Sequence, residues 1–243
     1  MNYYNEYDAK TAAWLKQLIT EGLVPHGDVD TRSISEVTAG DLSGYKQCHF
    51  FAGIGGWSLA LQLAGWPATR PVWTGSCPCQ PFSQAGKQKG TEDERHLWPV
   101  FFNLIRQCSP VTVFGEQVAS AIPHGWLDDL SADLEAEDYT VGSCVLGAHS
   151  VGADHIRQRL YWVADSKRDQ QPRQESCRWE ARRMGRVQQS FPWNEPWQSA
   201  LSRFRAMGDG LPRNVVATDG ARNAIVPQAA AAFIQAFLET QES

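Results

Sequence analysis

The chain has 243 residues, 42% of them hydrophobic and 20% charged, enough for one large domain or two small ones with a real core. Its 22 Lys+Arg against 27 Asp+Glu leave a formal charge of −5, which excludes a protein that coats nucleic acid wholesale. No apolar window reaches the roughly 18 residues of a membrane span. The start, Met1 to Asp8, has neither the basic residues nor the apolar run of a secretory signal, so a soluble cytoplasmic protein is expected.

Residues 6–22 place Ala12, Leu15, Leu18 and Ile19 at helical spacing behind Asp8 as an N-cap, which predicts an amphipathic helix. Residues 24–45, with Pro25, Gly27, Gly40 and Gly44, read as an irregular connector. Cys48 to Ala52 is a short apolar run that ends in Gly53-Ile54-Gly55-Gly56 and is followed by Trp57, Leu59, Leu61 and Leu63. That is a strand, a glycine turn and a helix. Such a turn lets backbone approach a ligand at a helix N-terminus, although many serve only to turn the chain.

Pro71 to Thr74 predicts a second short strand ending at a Cys77-Pro78-Cys79 loop. A helix over about 96–107, a strand at Val111–Phe114, a helix near 125–136 and strands near 139–147 and 159–164 follow. From Asp165 to about Pro196 the periodicity is lost, and the last element is an Ala-rich helix from Val226 to about Glu239. Strands alternating with helices imply a mostly parallel sheet, with function at the strand C-terminal ends.

Six cysteines occur, but a chain of this length without an export signal does not need disulfide staples. Cys48, Cys108 and Cys144 sit in apolar surroundings and read as small buried hydrophobes. Cys77 and Cys79 flank a proline with no second Cys/His pair at ligand spacing, so no metal is expected there. A nucleophile on a proline-stiffened loop is the better reading.

Five motifs follow in order: Phe51-Ala-Gly-Ile-Gly-Gly56, Pro78-Cys-Gln-Pro-Phe-Ser83, Glu116-Gln-Val118, Arg157-Gln-Arg159 and Asn223-Ala-Ile-Val-Pro227. The series resembles the DNA cytosine-5 methyltransferases over about residues 46–165 and 205–240. The small size suggests a compact member of the phage or mobile-element kind. The resemblance implies an α/β fold: a truncated Rossmann-like S-adenosylmethionine-dependent methyltransferase with a small irregular target-recognition insert. It implies methyl transfer to carbon 5 of a flipped cytosine in double-stranded DNA through a covalent Cys79 adduct.

On that resemblance Glu116 is the acid that engages the ring, and Arg157 and Arg159 orient base and thiolate. Phe51, Ala52, Gly53, Ile54, Gly55, Gly56 and Trp57, with Asn223 and Ala224, would hold S-adenosylmethionine. Pro78, Gln80, Ser83 and Gln117 would line the substrate. Partners implied are double-stranded DNA and a cognate restriction enzyme, with a monomeric chain and no membrane. The domains read as an N-terminal helix and connector over 1–45, a catalytic core over 46–164, a basic target-recognition segment over 165–205 and a return to the core over 206–243.

The chemistry needs these residue types. Carbon 5 of cytosine is a poor nucleophile until a thiolate adds at carbon 6. A carboxylic acid at N3 relieves the charge that builds on the ring, and burial raises its pKa to suit. A base inside a duplex must first leave the stack. Two alternatives stay open on sequence: the same chemistry on RNA, or a catalytically inactive DNA-binding relative.

The departures fall mostly in the cofactor half. In the family, two further strand units separate the glycine turn from the cysteine loop, carrying an acid for the cofactor ribose and an Asp near the adenine. Here only Trp57 to Thr74 intervenes, so a shorter sheet is expected, with the glycine-loop strand nearer an edge. Gly27-Asp28-Val29-Asp30 resembles the adenine-site motif displaced ahead of the turn, with Asp28 or Asp30 as a candidate contact. His49 replaces a common Asp, Gln117 a usual Asn, Asp154 a Pro, His155 a Gln and Arg222 a Gly. Residues 156–187 hold 9 Lys+Arg and 4 Asp+Glu, a local +5 that leaves −10 on the rest of the chain. That segment is the candidate phosphate-binding face, with Trp179, Trp193 and Trp197 as packing or gap-filling side chains.

Overall fold

The computed structural model describes residues 1–78, 97–153, 156–166 and 224–241. Asp8 caps the first helix as its position predicts: the Thr11 N–H donates to its carboxylate at 2.8 Å. The elements run β1 (Asn2–Asn5), α1 (Ala9–Thr20), β2 (Gly27–Asp30), β3 (Gln47–Phe50), α2 (Gly56–Leu63) and β4 (Val72–Gly75). After them come α3 (Trp98–Cys108), β5 (Thr112–Val118), α4 (Trp126–Ala136), β6 (Tyr139–Gly147), β7 (Gln158–Ser166) and α5 (Pro227–Gln241). The seven strands lie in the order β2-β1-β3-β4-β5-β7-β6. Pairing is parallel from β2 through β5, and β7 is antiparallel to both of its neighbours. This is the α/β Rossmann-like sheet that the alternating pattern predicts.

Side chains alternate across the sheet, so neighbouring residues feed different layers. Tyr3, Cys48, Phe50 and Trp73 face α3 and α4, where Trp98, Phe101, Leu130 and Leu134 complete one core. Val72, Phe114, Tyr161 and Val163 face α2 and α5, meeting Trp57, Leu61, Phe233 and Phe237. Tyr4 packs under α1 with Trp14, Leu15 and Leu18. Fully burying side chains of this size contributes about 1.5–3 kcal/mol each, so the three layers hold the sheet rigid beneath its loops.

Two expectations fail in the N-terminal region. Residues 1–45 are more than a helix and connector packed on the core: Asn2–Asn5 is an interior strand, buried at all four positions, and Gly27–Asp30 is the sheet edge beside it. The sheet is therefore not shortened, and β3, with two strands on one side and four on the other, is not near an edge. Two strands that precede the glycine turn, β1 and β2, widen the sheet on that side. Gly27 fits this edge because a Cβ there would strike the Asn2 carbonyl and the Tyr4 ring. Of the three cysteines read as buried, Cys48 is buried, Cys108 is half-buried and Cys144 is exposed on the outer strand β6.

Candidate active site

The loops after β1, β3, β4 and β5 meet at one end of the sheet. After β3 the backbone turns sharply, with positive φ at Phe51 (52°), Gly53 (56°) and Gly55 (82°). Gly55 is the N-cap of α2, and a Cβ on it would sit 2.8 Å from Val24. A Cβ on Gly56 would sit 2.8 Å from Ile225, so the entry to the C-terminal helix closes directly on the turn. A Cβ on Gly53 would meet nothing within 4 Å. The Cα face of Gly53 is therefore open among the described residues, while the amides of Ala52 and Gly55 are taken by the carbonyls of Asn5 and Ala52.

Glu6 follows β1 and reaches the same place. Its carboxylate accepts the Gly53 N–H at 2.7 Å and the Asp8 N–H at 2.9 Å, while burial raises its pKa. Tyr7, the next residue, is 74% exposed. Sequence reasoning missed both, because the strand that delivers them has no pattern of its own and only Asp8, the cap just beyond, signals an element there. Asp28 and Asp30 are committed elsewhere. Asp28 accepts the Tyr45 hydroxyl at 2.6 Å, and Asp30 is held by Arg32 at 2.6 Å and by the Tyr3 hydroxyl at 2.8 Å.

β4 runs into Ser76, Cys77 and Pro78, and Cys77 is buried. Gln117 is buried too: its Nε2 donates to the Cys77 carbonyl at 3.3 Å, so it braces the loop from beneath. Trp57 donates its indole N–H to Ser76 Oγ at 2.9 Å. Cys79, Gln80, Ser83 and Asn223 lie outside the described residues, as does nearly all of the basic segment.

Glu116 sits on β5 with its side chain 11% exposed, and Arg159 Nε lies 2.7 Å from its carboxylate. The β5–β7 register pairs Val118 with Arg159 and Glu116 with Tyr161, which makes Glu116 and Arg159 diagonal neighbours. Burial raises the Glu116 pKa, against the lowering pull of Arg159, Arg157 and the Ser76 hydroxyl. Arg157 does not alternate with Arg159 on the strand. It precedes β7 with φ at 25°, and its Nη2 donates to the Ala224 carbonyl at 2.7 Å. Together the chain brings to one sheet end a glycine turn, two half-buried carboxylates and two arginines.

The C-5 cytosine-specific DNA methylase family matches residues 67–198, more than half of the chain and the part that holds the Cys79 loop, Glu116 and both arginines. The chain belongs to that family. It is 35% identical over 95 residues to the Type II methyltransferase M.AplI of Arthrospira platensis, covering 38% of this chain and 28% of that protein. It is 28% identical over 169 residues to the Type II methyltransferase M.HhaI of Haemophilus parahaemolyticus, covering 53% and 51%. The S. pombe Dnmt2 methyltransferase structure overlays with a TM-score of 0.43 at 15% identity, over 68% of this chain and 51% of that one. The chain thus spans about half, or less, of the length of these relatives. The matched stretch starts after the glycine turn, so β1, β2 and β3 lie outside it.

Proposed function

We propose that the chain transfers the methyl group of S-adenosylmethionine to carbon 5 of a flipped cytosine in double-stranded DNA. The observation that carries this reading is the Glu116–Arg159 pair, buried one strand away from the loop that leads to Cys79. A carboxyl group with a burial-raised pKa beside a guanidinium fits a site that must protonate a ring nitrogen and hold a polar base.

The glycine turn fits the cofactor. Glu6 holds a carboxylate against the Gly53 amide beside the open face of that glycine, a match for a ribose diol, and Tyr7 offers an exposed ring next to it. Phe51, Gly55 and Gly56 shape the floor, while Ala224 and Ile225 close the wall. Once bound there, the cofactor supplies an electrophilic sulfonium methyl.

The chain's own residues do the rest. The Cys79 thiolate forms a bond to carbon 6, Glu116 gives its proton to N3, and Arg159 holds Glu116 and the base in register. After carbon 5 takes the methyl, a solvent water accepts its proton, the C6–S bond breaks to release the thiolate, and the N3 proton returns to Glu116. Gln117, holding the Cys77 carbonyl, fixes the base of the nucleophile loop. The Arg-rich stretch from 156 to 187 supplies phosphate contacts. The reading extends to a monomer working in the cytoplasm alongside a cognate restriction enzyme, in keeping with the Type II names of the relatives.

The test is labelled methyl transfer to a mixed-sequence DNA duplex and to matched RNA, with trapping on duplexes containing 5-fluorocytosine. Transfer to DNA and a cofactor-dependent covalent complex, both abolished by Cys79→Ser, are expected. Full transfer by Cys79→Ser would sink the mechanism, transfer to RNA alone would move the substrate, and binding without transfer would leave a DNA-binding module.

A further inference from the structure

One hydroxyl stands between the glycine turn and the catalytic carboxylate. Ser76 is the first residue past β4, and Gly75 pairs with Gly115 across the parallel β4–β5 ladder. The residues that follow this pair are Ser76 and Glu116, so the two stand side by side at the sheet end. The Ser76 hydroxyl acts on the Glu116 carboxylate and favours its ionised form.

The same hydroxyl accepts the Trp57 indole N–H at 2.9 Å. Trp57 is 4% exposed, stacked on Phe114 with centroids 6.1 Å apart and edge-on to Tyr161 at 6.2 Å, so its ring is fixed. An indole N–H can only donate, so Ser76 Oγ must accept from it. A serine carries a single proton, and with Trp57 on the oxygen that proton is left for another acceptor. Glu116 is the charged acceptor at hand. Trp57 itself is the second residue of α2, directly after Gly56, where the turn meets the cofactor.

We propose that Ser76, its hydroxyl oriented by Trp57, is a positioning residue that sets the protonation of Glu116 and ties it to the glycine turn. The inference rests on reading Glu116 as the proton donor of the reaction. Donation from Ser76 steadies the carboxylate. If the indole withdraws, the oxygen is free to accept instead, and the carboxylic acid gains a partner. A ligand that shifts the first turn of α2 therefore changes the acid's proton affinity without touching it.

The experiment titrates the Glu116 side-chain carbon by 13C NMR in the full chain without DNA, assigned with Glu116→Gln. It compares wild type with Ser76→Ala, Ser76→Thr and Trp57→Phe. Ser76→Ala should move the midpoint up by about one pH unit, Trp57→Phe should move it the same way by less, and Ser76→Thr should stay with wild type. The alkaline limb of kcat/KM on DNA should follow the same order. An unmoved midpoint in Ser76→Ala, or an equal shift in Ser76→Thr, overturns the proposal. A shift in Ser76→Ala with none in Trp57→Phe overturns the part played by Trp57. If Trp57→Phe does not fold, the two serine variants still decide the role of Ser76. The NMR titration needs no turnover, so absence of methyl transfer in wild type would overturn the proposed function alone.

Discussion

The Glu6 carboxylate accepts the Gly53 amide at 2.7 Å, although 47 positions separate them in sequence. A residue just past the first strand thus ties down a turn that follows the third, and it is the acid that the proposed cofactor site offers to a ribose. Glu6→Gln keeps the shape but removes the charge, and Glu6→Ala leaves the Gly53 amide without its acceptor. Hydrogen bonds to a charged group contribute about 1.5–3 kcal/mol, so S-adenosylmethionine affinity should fall about 10- to 100-fold in titration calorimetry. Wild-type affinity in both variants would move the ribose contact elsewhere.

Glu116→Gln should lower single-turnover methyl transfer by about 10²- to 10⁴-fold while leaving cofactor affinity close to wild type. The pH dependence follows from burial. A raised pKa keeps the acid protonated above the usual carboxylate range, and activity is lost as pH rises through that raised value. A profile flat from acid to neutral pH would argue against Glu116 as the donor.

His49 is buried and stacked on Tyr4 at 4.9 Å, its Nδ1 2.8 Å from Thr74 Oγ1 and its Nε2 without a partner among the described residues. Burial pushes its pKa down to about 3. The unfolded chain takes up this proton near pH 6.5, whereas the folded chain refuses it until far lower. Stability from this residue is therefore full above about pH 6.5 and falls by about 1.4 kcal/mol per unit below it, down to about pH 3. Melting temperatures at about pH 7.5 and 5.5 should drop more for wild type than for His49→Gln. Equal drops would clear His49 of the effect.

Gly115 lies opposite Trp162 in the β5–β7 register, and a Cβ on it would fall inside the indole ring. Gly115→Ala should cost about 1–3 kcal/mol by overpacking, read by thermal melting, and should weaken activity because Glu116 is adjacent. Gly142→Ala makes the control: its Cβ would meet only Val163, at 3.5 Å. Comparable losses in the two variants would point to strand conformation instead of the ring.

Much of this was legible in the sequence because the signals were local. The strand–turn–helix around Gly53, the Asp8 cap and the apolar runs of β4, β5 and β7 each carry their own pattern. β1 and β2 do not. Asn2-Tyr3-Tyr4-Asn5 has two apolar residues between amides, and Gly27-Asp28-Val29-Asp30 has one. Their strand character comes from pairing with β3 and with each other, which no short window displays. Glu6 was overlooked for the same reason. Its role depends on the β1–β3 register, not on its neighbours in the chain. The resemblance puts Gln117 at the substrate; its hold on the Cys77 carbonyl comes from the neighbouring strand and no short window displays it either.

Placing β1 and β2 ahead of β3 leaves residues 51–71 as the whole link between the glycine strand and the cysteine strand. The glycine turn and the loop that leads to Cys79 thereby follow two adjacent parallel strands joined by one brief crossover. A link three times as long would cost about 1 kcal/mol more in closure entropy. The β3–β4 contact becomes one of low sequence separation, the kind that forms early when a sheet assembles. In this arrangement the β3–β4 pair is among the first parts of the parallel sheet to close, and β1 and β2 dock onto it, bringing Glu6 to the glycine turn.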